Sequence, residues 1–254
     1  MHLLRLLVIF LLLASCSAMG SHGNNSANAP VFLIAEVWPW GYLDENNQPA
    51  GLITEFASRL SSRAGIEMHY RVLPHQRVLA NFRGHDGDYT MLFQNPVVDS
   101  FAERVGLAQI SDILLITPRD SRQKLTLAGL SGKRLGYIGG TYYGEAFSAD
   151  RGIIKLPLSS LDQAIRMLEL GRLDALITSD ILLHHTLRQM QLDPQAFRSR
   201  VLTRGHVAYL YASRDNTTAI HLPAIQAALE EMRDSGELDS IFRNALQLPP
   251  LVTD

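Results

Sequence analysis

Gly139-Gly140-Thr141 follows an apolar run and precedes helix-forming sequence. A glycine turn that leaves a strand and enters a helix exposes backbone N–H groups, and the helix dipole adds positive potential there. The Thr141 hydroxyl can donate beside them to a carboxylate. The same residues also suit a plain tight turn, where glycine supplies only backbone freedom. Trp38, Trp40 and Tyr42, interleaved with Pro39 and Gly41, form an aromatic lip. Such rings stack on a solute, cover a cation or seal the edge of a core. Glu36, just inside the same segment, offers a negative charge to a cationic group. Asp180 follows another apolar run, where a carboxylate also favours a helix start through the dipole alone. Arg77 and Arg104 carry guanidinium groups, which pair with a carboxylate through two parallel hydrogen bonds.

Other spacings lead nowhere. Asp44, Asn46, Gln48 and Glu55 have calcium-loop spacing, but Pro49 stands where that loop needs glycine. His184 and His185 are adjacent and diverge around a helix, so they cannot converge on one metal. Nucleophile-elbow, Walker and dinucleotide glycine motifs are absent from the sequence. No cofactor or metal is expected, and no catalytic set.

With 254 residues and a net charge of −2, the chain has no basic excess with which to grip nucleic acid. Its beginning reads as a targeting segment, residues 1–15. Arg5 is followed by nine apolar residues, Leu6 to Ala14, too few for the roughly 20 that span a bilayer. Leu13-Ala14-Ser15-Cys16 resembles the bacterial lipobox, in which the cysteine becomes the lipid-bearing first mature residue. Cys16 is the only cysteine and so forms no internal disulfide. The alternative is ordinary cleavage after Ala18. Residues 16–29 are rich in Ser, Gly, Asn and Ala and read as a flexible tether. A periplasmic location at a bacterial membrane follows, held by the lipid alone.

Positioning these side chains requires a particular set of elements. Val31 to Val37 reads as a buried strand, and Asp44 to Pro49 as a turn. Leu52, Ile53, Phe56, Ala57, Leu60 and Ala64 recur with helical period, and Gly65 stops the helix. Met68 to Leu73 is a strand, Pro74 opens a helix carrying Val78, Leu79 and Phe82, and Asp88 to Phe93 is a strand. The alternation restarts with strand Lys133 to Ile138. A helix capped by Ser160, with Gln163 completing a capping box, then precedes strand Leu173 to Thr178 and a helix from Ser179-Asp180. A long strand, His206 to Ser213, and helices near Pro223–Met232 and Leu238–Leu246 close the chain. Two such α/β units predict parallel sheets covered by helices, with the ligand beyond the carboxyl ends of strands.

Four stretches, in order, resemble the bacterial extracellular solute-binding proteins of the polar amino-acid-binding type. They are Trp38-Pro39-Trp40-Gly41-Tyr42 with Gly51 to Glu55; Arg77-Val78-Leu79 through Gly87-Asp88; Leu135 to Thr141; and Ala164 to Asp180. The resemblance implies a two-lobed periplasmic-binding-protein type II fold. Two mixed, mostly parallel sheets with flanking helices are then joined by two crossing strands, near Leu114–Thr117 and His206–Tyr211. Residues 30–116 and 207–254 form one lobe, onto which the last helices pack, and 117–206 the other. It further implies that Gly140-Thr141 contacts the ligand's carboxylate and that Asp180 takes its amino group. An arginine some dozen residues after the Gly-x-Asp entry clamps the carboxylate in α-amino-acid binders. Here Asp88 and Arg104 are sixteen apart with Gln94-Asn95-Pro96 between, so the clamp is Arg104, or Arg77 in its place, or is missing. The implied activity is capture of a small polar solute, such as an amino acid or a related amine or carboxylate, by a monomer serving an ABC-type importer or a membrane receptor. The alternative is a lyase like the periplasmic cyclohexadienyl dehydratases, which share the scaffold, with Glu145 or Glu36 as general acid.

Overall fold

The structure, a computed structural model, describes residues 29–214, 219–243 and 252–253. The targeting segment, Cys16 and most of the tether lie outside the described residues.

The first unit begins with β1 (Val31–Ala35), whose Phe32, Leu33 and Ile34 are fully buried. Such an apolar run suits a parallel strand covered on both faces. A short hairpin, β2 (Tyr42–Leu43) with β3 (Pro49–Ala50), leads to α1 (Leu52–Ala64). The helix buries Ile53, Phe56, Ala57 and Leu60, and Gly65 ends it in the left-handed conformation, φ 65°. Then follow β4 (His69–Leu73), α2 (His75–Arg83), β5 (Tyr89–Phe93) and the short α3 (Pro96–Asp99). β4 and β5 flank β1 in parallel.

The second unit holds β7 (Arg134–Ile138), α4 (Glu145–Ala149), β8 (Ile154–Leu158), α5 (Leu161–Glu169), β9 (Ala175–Ser179) and α6 (Asp180–Gln189). β8 and β9 flank β7 in parallel. On α5 the expected face, Leu161, Ala164, Ile165 and Leu168, is buried. Its expected capping box does not form, because Ser160 hydrogen-bonds the Asp162 carboxylate instead of the helix backbone.

Two 17-residue strands, β6 (Ala102–Pro118) and β10 (Phe197–Ser213), run antiparallel to each other through both units. β10 pairs with β5 and β6 with β9, giving the continuous order β4-β1-β5-β10-β6-β9-β7-β8. The two mixed sheets are thus halves of one curled sheet in a two-lobed α/β fold. The first partner of β9 is Ile113, and Ala208 is the nearest partner of β5. The handover lies earlier along each strand than Leu114–Thr117 and His206–Tyr211, because Ile113 to Ile116 already belong to the second half's ladder. Register shifts on β10 between Val201 and His206 mark the same place. Along β6, Leu114 and Ile116 join one core cluster and Ile113 and Leu115 another, as the two-residue strand period requires. The closing helices α7 (Leu222–Asp234) and α8 (Glu237–Phe242) pack against α1 and β6. Glu237 there pairs with Arg59 and Arg63 of α1. The final helix ends sooner than the sequence pattern, at Phe242, and residues 244–246 lie outside the described set.

Candidate functional site

A cavity opens between the halves, at the carboxyl ends of the parallel strands. The first half lines it from β1 and β5 and with His75 and Leu79 of α2. The second half lines it with Ile138, residues 140–143, Ser179 and Leu182, while Gln109 and Ala208 come from the shared strands. Among the described lining residues there is no carboxylate, guanidinium or ammonium group. Apolar side chains dominate, with polar atoms contributed chiefly by His75, Asn95, Gln109, Thr141, Tyr142 and Ser179.

His75 and the glycine turn bring the halves together. His75 Nδ1 lies 3.5 Å from Thr141 Oγ1. A Cβ on Gly140 would meet the His75 ring at 3.3 Å, and Gly140 has φ 88°, so glycine serves both the turn and the close approach. Burial pushes the His75 imidazole down to about 4, which keeps it neutral at pH 7. The turn does not feed a helix directly. α4 begins only at Glu145 and has five residues, and the Thr141 N–H donates to the Ile138 carbonyl at 3.2 Å. The Thr141 hydroxyl remains as the side-chain donor at this point.

Trp40, Gly140 and Thr141 line the cavity. Trp40 is buried and packs on Phe93 and Phe242, so it walls the cavity and the core together. Trp38 meets His185 edge-on across the halves, and both border a shallower groove with Tyr42. Glu36 is exposed and outside the cavity lining.

Asp180, Arg104 and Arg77 are not among the residues that line this cavity. Asp180 accepts from the backbone N–H of Ile181 at 2.7 Å, from the N–H of Asp112 and from the Ser111 hydroxyl. Burial raises its pKa despite these donors. Arg104 forms a two-pronged pair with Asp99, Nε to Oδ1 at 2.7 Å, and lies 4.9 Å over the Tyr209 ring. Asp99 also accepts from the Tyr211 hydroxyl at 2.9 Å, which fixes the pair in place. Arg77 is exposed on α2, outside the lining. Neither Arg77 nor Arg104 is among the lining residues of the cavity that Thr141 borders. Arg104→Lys is expected to lower stability by less than about 1 kcal/mol in denaturant melts, because the pair is largely solvated.

The groups weighed for other chemistry are also accounted for. Glu145 is exposed and faces the Tyr142 hydroxyl at 3.5 Å. Asp44 Oδ1 accepts from the N–H groups of Asn46 and Gln48, both at 2.8 Å, and so closes a turn. Among the described residues no group of three or more His, Cys, Asp or Glu is placed to hold a metal.

Sequence reasoning passed over His75, Asn95 and Gln109. His75 and Asn95 stand just past the carboxyl ends of β4 and β5, where the strand-end rule directs attention. Gln109 lies in mid-strand, and a polar residue in a buried strand was its only signal.

No protein-family model matches the chain, and no curated protein does. Solved structures are similar to it. The arginine-bound amino acid ABC transporter substrate-binding protein AbpA of Streptococcus pneumoniae is 17% identical, with 88% of this chain and 96% of that one covered and a TM-score of 0.71. A mutant of ArgBP from T. maritima is 18% identical over 85% and 94%, TM-score 0.70. An ancestral arginine-binding protein bound to glutamine is 18% identical over 84% and 94%, TM-score 0.69. At such identities the likeness is one of fold, and the fold is the two-lobed type II architecture of those binding proteins.

Proposed function

We propose that this chain is an extracytoplasmic solute-binding protein whose two lobes close on a small, uncharged, largely apolar solute, for an ABC-type importer or a membrane receptor. The observation that carries this is the interlobe cavity, bridged by His75 and Thr141 and lined without a formal charge. Burying a free carboxylate or ammonium there without a charged partner would cost several kcal/mol. Apolar walls with a few neutral hydrogen-bonding groups favour a solute of the same character. Arg104, one of the two arginines weighed as a carboxylate clamp, is committed to Asp99, and neither it nor Arg77 lines the cavity, which argues for a solute unlike the arginine seen in AbpA. The lobes meet within β6 and β10. Lipidation at Cys16, with residues 16–29 as tether, would hold the monomer at the membrane surface.

Thermal melting of the protein against a panel tests the reading. Neutral aromatics such as indole are expected to stabilise it by about 2.7 kcal/mol at a hundred times the dissociation constant. Arginine and glutamine are expected to leave the melt unchanged. Stabilisation by arginine or glutamine alone would sink the uncharged-solute reading.

A further inference from the structure

Gln109 carries a feature that its surroundings do not explain. It lines the cavity with 4% of its surface exposed, and its Oε1 is buried without a hydrogen-bond partner. Its Nε2 is engaged twice, donating to the Ile110 carbonyl and, at 2.7 Å, to Ser111 Oγ. The contact with Ile110 fixes which end of the amide is which. The Ile110 carbonyl can only accept, so it must face the NH2 end. The Ser111 hydroxyl can donate or accept and is compatible with that orientation. Turning the amide over would set oxygen against oxygen at Ile110.

We propose that Gln109 is a specificity-determining residue of the cavity, locked by Ile110 and Ser111 with its carbonyl oxygen presented to the solute, so that the bound solute offers an N–H or O–H donor there. The inference rests on the cavity being the solute site and adds the polarity of one contact. A solute lacking the donor leaves Oε1 buried and unpaired, whereas one with it satisfies the oxygen that Ile110 and Ser111 leave unused. Buried acceptors left without a donor typically weaken binding about tenfold to a hundredfold. Gln109 itself lies on β6, just ahead of Ile113, where the pairing with β9 begins. A donor at Gln109 thereby bears on the strand about which the lobes close.

Isothermal titration of the protein with indole, 1-methylindole and benzofuran reads the donor directly, since the three share the fused bicyclic ring, benzofuran also matches indole in size, and only indole carries an N–H. Indole is expected to bind at least tenfold more tightly than the other two, and the preference is expected to vanish in Gln109→Met. Equal binding of indole and benzofuran by the wild type overturns the proposal and leaves the uncharged-solute reading standing. Survival of the preference in Gln109→Met overturns it as well. Binding of none of the three overturns the reading of the cavity and this inference together. The wild-type comparison needs no variant, so it decides even where Gln109→Met fails to fold.

Discussion

Asp180→Ala is expected to lower the free energy of unfolding by about 2–4 kcal/mol, the usual cost of leaving buried donors without their acceptor. The carboxylate receives three donors: the N–H of Ile181 at the start of α6, the N–H of Asp112 on β6, and the Ser111 hydroxyl. Alanine strands all three at the joint between the second half and the shared strand. Denaturant unfolding at neutral pH measures the loss. A residue that held the solute's amino group would behave in the opposite way, losing affinity at unchanged stability. An unfolding midpoint equal to wild type would remove Asp180 from the structural role assigned to it.

Acidification gives the second large effect. The His75 imidazole titrates at about 4 in the folded protein against 6.5 in the unfolded chain. The unfolded state therefore takes up the proton first as the pH falls. The stability contributed by His75 is complete above pH 6.5 and is lost between pH 6.5 and 4, by about 2–3 kcal/mol. His184, His185 and His206 are also pushed down by burial and act in the same direction. His75→Gln isolates its share: its stability should fall less steeply with acid, by about that amount at pH 4. Parallel pH profiles for the variant and the wild type would show that His75 contributes nothing to this dependence. Because His75 closes on Gly140 and Thr141, its protonation places a charge in the wall shared by the two halves.

Much of the architecture was legible because local patterns matched the tertiary demand. Ile53, Phe56, Ala57 and Leu60 recur at helical spacing and face inward on α1, and Gly65 stops that helix as expected. Phe32 to Ile34 and Leu176 to Thr178 read as buried strands because parallel ladders covered on both sides tolerate little polarity. The site was less legible, for a physical reason. A side chain's partner is fixed by three-dimensional closure, not by its neighbours in sequence. Arg104 has the chemistry of a clamp, but Asp99, five residues earlier, turns back through α3 and takes it. Asp180 has the chemistry of an amine acceptor, but β6 brings it Ser111 and Asp112 from some seventy positions away. Gln109 has no local sign beyond its polarity within a buried strand. Its importance arises from two partners that use its nitrogen and leave its oxygen unused.

The paired 17-residue strands also govern when the chain can finish folding. β5, at residues 89–93, completes its ladder only against residues 208–212 of β10. The first half therefore cannot close until more than a hundred further residues have been made. Until then one edge of β5 stands open, and the entropy of a long loop must be met before that contact stabilises anything. A chain of this topology stays unfinished through most of its synthesis. Through that delay the chain exposes an unpaired strand edge that invites pairing with other chains.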